Sequence, residues 1–409
     1  MDMPKYIDIY DGLKPLYETS KILGLVPFAY GKTLRNSKNT KFFRVTYSII
    51  ILAIITASFI ISILYDIYYK YMNQSTTLIL PLLSQLCSLF GETIVGLTLS
   101  YRGTLQNICK NLTLIDQILK SICINNFIKI IISMEILTVF VILAGVHILD
   151  ISGRNISLFS IIQHGGLILA SYINITIVLQ FINSVWIIKK RFRILNEQLT
   201  TMINEKCVEE ILINANQNVD ISLQRNQENL SQISVRNRNN TTNYDHLKIH
   251  TLRVTHSLLY DLAGRLNSDF GLQILLDMLH SFITLIMSLY IALAAKNDPH
   301  IVDCDVSTSC TRVITNFCLA IICILKFLTV SISCDKATNE MKNTSEIMKK
   351  LLLPSHHEKE ALNELQLFSQ QINNNDYNFT ANGFFAINLN LLIQVAASTT
   401  TYLVILIQM

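Results

Sequence analysis

Between residues 45 and 65 the chain carries no charged side chain. A helix needs about 20 mostly apolar residues to cross the hydrocarbon of a bilayer. No water is present there to satisfy backbone groups, so such a stretch must close its hydrogen bonds internally and fold as a helix. Six further stretches qualify. They are 77–101 with Pro81 and Glu92, 127–149 with Lys129, Glu135 and His147, 157–188 with His164, 272–295 with Asp277 and His280, 313–334 with Lys326, and 384–409 without a charge.

Composition agrees with lipid as the solvent. Apolar residues make up 51% and charged residues 15%, against about 25% charged in soluble domains. Charge this scarce does not cover several water-exposed domains. The same balance excludes disorder throughout. A net charge of +4 over 409 residues is too weak for a nucleic-acid protein. Nine cysteines in that length are too sparse for a disulfide scaffold. No N-terminal signal peptide is visible.

Basic residues orient the spans. The segments on one side hold only Lys70, Arg154, Lys296 and Arg312. Lys129 and Lys326 lie within spans, and all the rest of the 33 basic residues fall on the other side. Lys189, Lys190, Arg191 and Arg193 sit at the very edge of the fourth span. The expectation is an all-α membrane protein with seven transmembrane helices, a cytoplasmic N-terminus and an extracellular C-terminus. That orientation is opposite to a G-protein-coupled receptor.

The division that follows is a cytoplasmic N-terminus 1–44, spans one to four over 45–188, a cytoplasmic loop 189–271, spans five and six over 272–334, a cytoplasmic helical loop 335–383, and the last span 384–409. Within the long loop, 214–243 is rich in Asn, Gln and Ser and reads as disordered. Leu247, Leu252, Val254, Leu258, Leu259, Leu262 and Leu266 then recur at helical spacing, which predicts one rod running into span five. A second helix is expected over 358–371, after Pro354. These cytoplasmic helical extensions offer faces for self-association.

Cys304 and Cys310 lie in an outer loop, where an oxidising compartment allows a small disulfide; two free cysteines are the alternative. Sequons at Asn73 and Asn155 face outside, very close to the membrane. Trp186 beside Lys189 reads as an interface anchor. His356 and His357 have no nearby Cys or acidic pair to complete a metal set, so a solvated turn is expected and no metal. No P-loop, GxSxG, HExxH or CxxC occurs. No cofactor and no enzyme activity are expected.

The last span is polar in a pattern. Gln394, Ser398, Thr401, Ile405 and Gln408 fall at i, i+4, i+7, i+11 and i+14, on one helix face. Polar groups facing lipid are unfavourable, so the stripe must meet protein or water. Helix packing through small hydroxyl residues is one reading. A pore wall gated by an apolar rung, Ile405 or Met409, is the other. One helix cannot enclose a pore, so the second reading requires several copies around an axis.

The end of this span, Thr401-Tyr402-Leu403-Val404-Ile405-Leu406-Ile407-Gln408-Met409, resembles the signature of insect gustatory receptors, with Met409 where that family has Phe. Cys334, Glu340, Phe368, Gln371 and the run Phe379-Thr380-Ala381-Asn382-Gly383-Phe384-Phe385 also match. So do Ser20-Lys21-Ile22-Leu23-Gly24-Leu25-Val26-Pro27-Phe28 and Leu266-Asn267-Ser268-Asp269-Phe270-Gly271. The tail, the N-terminal run and the long polar loop look most like the fructose-type sugar receptors.

The resemblance implies a ligand-gated, nonselective cation channel in the plasma membrane of chemosensory neurons. It implies a homotetramer, or one joined by a co-receptor subunit, with the last helix lining the pore and Gln408 and Met409 at the gate. It also implies a small-molecule tastant, such as the sugar fructose or a bitter compound. Candidates for holding it in the outer halves of the spans are His147, Gln163, His164, Tyr290 and Asn316. They supply donors, acceptors and an aromatic face, and each can equally serve an interhelical hydrogen bond.

Asp277 and His280 are spaced to meet on one helix. Glu92, Glu135 and Lys326 must also find partners, because unpaired charge in lipid is unfavourable. The rival functions are a metabotropic seven-span receptor and a secondary transporter. The transporter fits poorly, because no internal repeat is visible.

Overall fold

The computed structural model of the chain describes residues 9–25, 38–73, 79–101, 104–119, 125–152, 158–220, 228–297, 306–352, 359–373 and 377–408, with side chains over a subset of these. They form ten helices: α1 (Ile9–Ile22), α2 (Lys38–Asn73), α3 (Ile79–Tyr101), α4 (Thr104–Leu119), α5 (Asn125–Ser152), α6 (Leu158–Asp220), α7 (Glu228–Asn297), α8 (Val306–Leu351), α9 (Lys359–Asn373) and α10 (Leu389–Gln408). Among the described residues there is no strand, only an isolated bridge between Thr380 and Ala386. Helix dominates because every apolar run is of spanning length.

Among the described residues six helices are long and apolar enough to cross a membrane: α2, α5, α6, α7, α8 and α10. The seventh expected span is α3, whose apolar stretch among the described side chains is the shorter Leu86–Leu99. At 1.5 Å per residue α6 and α7 are roughly 95 and 105 Å long, far more than the ~30 Å hydrocarbon. They therefore project well beyond it. The rod expected to feed span five is present, since α7 is continuous from Glu228 to Asn297. The helix expected near 358–371 is α9.

Two parts differ from expectation. Helix covers part of 214–243, because α6 continues to Asp220 and α7 begins at Glu228; residues 221–227 lie outside the described residues. Asn, Gln and Ser each disfavour helix by no more than about 0.7 kcal/mol, and no Gly or Pro interrupts the stretch. The last helix begins at Leu389, not at 384. Asn382 and Gly383 have φ of 51° and 80°, the mark of a tight I′-type turn. Its hydrogen bonds run Phe384 N to Ala381 O (3.0 Å), Ala381 N to Phe385 O (3.0 Å) and Ile387 N to Phe379 O (2.8 Å).

Helices α6, α7 and α8 form the centre. Helix α3 packs on α7, α2 on α6, α1 on α5, and α10 lies against α7 and α8. Helix α1 was not anticipated. Leu13, Leu16, Tyr17 and Ser20 make its buried face, and Gln180 Nε2 donates to Ser20 Oγ at 2.8 Å. The amphipathic helix α4 is held by a bidentate pair: Arg191 Nε and Nη2 each donate to Asp116 at 2.8 Å, with Arg191 fully buried. The cation near Trp186 is Lys190, with Nζ 3.8 Å from the ring centroid; the expected neighbour was Lys189. Side chains at i and i+4 lie about 40° apart around the helix axis, against about 60° for i and i+3.

Away from these apolar stretches the long helices are tied by specific bonds. Asn196 Nδ2 donates to the Glu340 carbonyl and to its carboxylate, both at 2.9 Å, and Thr344 Oγ1 donates to Asn196 Oδ1 at 2.7 Å. Arg253 Nε meets Glu364 at 2.9 Å. Gln371 Nε2 lies 3.2 Å from His256 Nδ1, and His256 packs edge-on to Phe192 and Phe368. Tyr377 donates to the Ala263 carbonyl at 2.7 Å. Burial pushes its phenol up, so it remains a donor across physiological pH.

The turn after α9 is pinned onto α7. Asn267 Oδ1 accepts from Thr380 N at 2.8 Å, and Asn267 Nδ2 donates to Thr380 Oγ1 at 3.2 Å. Gly271 faces Asn382, and a Cβ there would lie 3.1 Å from its nitrogen and 3.2 Å from its Cα. Gly264, two turns earlier, has open space. Gly271→Ala is therefore expected to lower stability by about 1–3 kcal/mol through overpacking. Gly264→Ala is expected to be neutral or to gain up to about 1 kcal/mol of helix propensity. Thermal unfolding of the two purified variants, compared with wild type, checks the contrast.

Candidate functional site

Asn388 starts α10: Leu391 N donates to Asn388 Oδ1 at 3.3 Å, the role of an N-cap side chain. Helix α10 then runs along the edge of the bundle. Only Leu391 and Thr399 of the whole helix are buried. Its inner side meets α7 through Tyr402, whose ring lies edge-on to Phe282 at 6.1 Å, and Val395 packs against Leu285, Ala320 and Cys323.

The polar stripe lies on the flank of the helix, about a quarter turn from that inner side. Gln394, Thr401, Ile405 and Gln408 are exposed and Ser398 is half-buried; Met409 lies outside the described residues. Thr400 and Thr401 bond back to the carbonyls of Ala396 and Ala397, at 2.9 and 3.0 Å. Their hydroxyl hydrogens are thus satisfied within the helix. The amides of Gln394 and Gln408 carry two donors and an acceptor each. These side chains cannot be reconciled with hydrocarbon as cheaply as the threonines.

The other candidates are spread over several helices. His147 on α5 is half-buried, with Nε2 buried and lacking a hydrogen-bond partner among the described residues. Its ring stands 6.0 Å from Tyr172 of α6, and Tyr172 is edge-on to Phe140 at 4.9 Å. Tyr172 and Phe140 thus join His147, although hydropathy alone does not single them out inside apolar runs. His164, Tyr290 and Asn316 are each half-buried, on α6, α7 and α8. The side chains of Gln163 and Cys310, and all of Cys304, lie outside the described residues.

A polar seam runs deeper in the bundle. Ser88 Oγ of α3 lies 2.9 Å from His280 Nδ1 of α7. Lys326 of α8 donates to Asp277 of α7, with the Asp277 side chain fully buried. Asn183 donates to Glu135 at 2.9 Å, and Asn174 donates to Thr93 at 3.1 Å. Lys326 thus pairs with Asp277, and Glu135 is bonded to a neutral amide.

Removing one member of a buried pair leaves the other uncompensated, at about 3–5 kcal/mol. Lys326→Leu is expected to abolish surface expression for that reason. Adding Asp277→Asn to it should recover part of the signal, because the stranded charge is gone. Surface biotinylation of the single and double variants checks this.

The geometry has relatives. A family model described as 7tm chemosensory receptor matches residues 13–409. The fold is similar to the insect olfactory receptor OR5 from Machilis hrabei in complex with eugenol, at TM-score 0.60 and 13% identity, covering 99% of this chain and 100% of that one. A second structure of that receptor matches at TM-score 0.60 and 12% identity, with the same coverage. No curated protein matches the sequence. With the family model spanning nearly its whole length, the chain belongs to the 7tm chemosensory receptor family.

Proposed function

We propose that this receptor is one subunit of a ligand-gated cation channel whose pore is walled by α10 from several copies. The observation that carries this reading is the exposure of α10. A helix with two buried residues presents Gln394, Thr401 and Gln408 away from its own bundle. Lipid is a poor neighbour for those amides, whereas a shared water-filled axis suits them. The resemblance to gustatory receptors makes the assembly a homotetramer, in the plasma membrane of chemosensory neurons, with or without a co-receptor subunit.

In this reading the N-terminus is cytoplasmic, as the positions of Lys and Arg require, and the C-terminal end of α10 is at the outer mouth. Ile405, with Gln408 and Met409, forms the constriction. The uncharged wall offers no strong filter among cations. The edge-on contact of Tyr402 with Phe282 links α10 to α7, so a shift of α7 on ligand binding is passed to the pore helix.

The ligand is a small polar tastant, a sugar such as fructose, held beside His147, Tyr172 and Phe140. A buried imidazole nitrogen next to two aromatic faces suits a ring that carries hydroxyls. Whole-cell current from cells expressing this chain alone is expected to rise with fructose. His147→Ala should shift the half-maximal concentration upward by about tenfold, as for loss of one buried hydrogen bond. A current evoked by bitter compounds and not by sugars would move the ligand assignment. No evoked current, with surface expression and an outside N-terminus, would favour a metabotropic receptor.

Cysteine substitution along 394–408 tests the pore itself. Positions 394, 398, 401, 405 and 408 are expected to react with water-borne thiol reagents in open channels and to block current. Reaction with no periodicity, or none at all, overturns the pore wall.

A further inference from the structure

Where its apolar run ends, α6 divides into two faces. Ile187, Ile188, Arg191, Phe192 and Leu195 are fully buried, and Arg191 is bonded to Asp116 of α4. Trp186, Lys189, Lys190 and Arg193 fall at i, i+3, i+4 and i+7, on the opposite face. There Trp186, Lys189 and Lys190 are half-buried and Arg193 is exposed. Three cations thus share one face with the indole, within about two turns.

Two features of that face belong together. The first is its charge. Arg191 is bonded to Asp116, and Arg193 Nε donates to Glu197 at 3.1 Å. Setting those pairs aside as neutral, Lys189 and Lys190 leave a balance of +2. The second is an apolar row. Phe127, Ile130, Met134 and Leu137 are all exposed, at i, i+3, i+7 and i+10 on one face of α5. Lys190 joins the two features: its Nζ is 3.8 Å from the Trp186 ring centroid and 6.0 Å from that of Phe127. The foot of the uncovered row therefore stands beside the cations. A lysine laid over an indole, with its stem along apolar surface, is the arrangement of a side chain held at the edge of hydrocarbon.

We propose that this face, where α5 meets α6, is a binding site for one anionic phospholipid of the cytoplasmic leaflet. The acidic headgroup lies against Lys189 and Lys190, and an acyl chain lies along Phe127, Ile130, Met134 and Leu137. Anionic lipids are drawn to basic residues at the membrane surface. Both halves of such a molecule are matched here. A soluble phosphate would use the lysines alone, and a zwitterionic lipid the apolar row alone. A lipid seated there touches α5 and α6 together and braces one against the other. The site stands whether or not α10 lines a pore.

The one tryptophan of the chain is Trp186 itself, so its fluorescence reports on the site. The purified full chain is reconstituted in phosphatidylcholine bilayers. Phosphatidylserine or phosphatidylcholine, brominated on one acyl chain near the headgroup, is then titrated in at constant ionic strength, because bromine quenches an indole that it touches. In wild type, brominated phosphatidylserine is expected to reach half-maximal quenching at about tenfold lower mole fraction than brominated phosphatidylcholine. Lys189→Gln combined with Lys190→Gln is expected to bring the two lipids within about twofold. If the double variant does not fold, Lys189→Gln alone decides, with the preference expected to fall to about threefold. Equal quenching by the two lipids in wild type overturns the site, as does a preference that survives the lysine changes. Loss of the preference on adding inorganic phosphate, against sodium chloride of the same ionic strength, assigns the lysines to a soluble anion and overturns the lipid. Quenching by neither lipid assigns the face to another copy of the chain, and also overturns it.

Discussion

Hydrocarbon offers no hydrogen bonds, and the rest of the structure answers to that. Within the spans, several polar side chains reach across to another helix. Lys326 reaches Asp277, Asn183 reaches Glu135, Asn174 reaches Thr93 and Ser88 meets His280. These bonds set the rotation of α3, α5, α6, α7 and α8 about their axes. Non-specific apolar contact cannot do so, since lipid tails are as apolar as Leu and give helices little reason to prefer one face. The same constraint makes α10 the anomaly. Its Gln394 and Gln408 are turned away from the chain that carries them, and something other than lipid must receive them.

Aromatic packing also ties the long helices together. Phe181 contacts both Phe270 and Phe379, and His256 contacts both Phe192 and Phe368. The turn around Asn382 and Gly383 is seated on Asn267 and Gly271. Asn388 starts α10 six residues after Asn382. The position of α10 is therefore inherited from α7 at its foot and adjusted by Tyr402 against Phe282 at mid-height. Val395 adds a third contact, against Leu285, Ala320 and Cys323; a helix otherwise uncovered is suited to moving as a unit.

Hydropathy made the spans legible, because length and apolar content are properties of one segment at a time. The polar stripe of α10 was legible for the same reason, being a periodicity within one helix. Its environment was not, since burial depends on neighbours. Two runs matched as separate family motifs, Leu266 to Gly271 and Phe379 to Phe385, prove to be the two sides of one contact, joined by Asn267 and Thr380. Partners such as Lys326 for Asp277 could not be read from spacing, because they lie 49 residues apart on different helices. Helix α1 escaped notice although Leu13, Leu16, Tyr17 and Ser20 have helical spacing; Pro15 within it reads as a breaker. The start of α10 was misplaced because Phe384 and Phe385 look like span residues, while the backbone at Asn382 and Gly383 makes them part of a turn.

The central claim is that the exposed polar face of α10 meets the same face of other copies around an axis. The most direct measurement is a single-particle reconstruction of the purified chain in lipid nanodiscs. The account predicts four copies about a central axis, with α10 innermost and Gln394, Thr401, Ile405 and Gln408 turned toward it. A monomer, or an assembly in which α10 faces lipid, would contradict it.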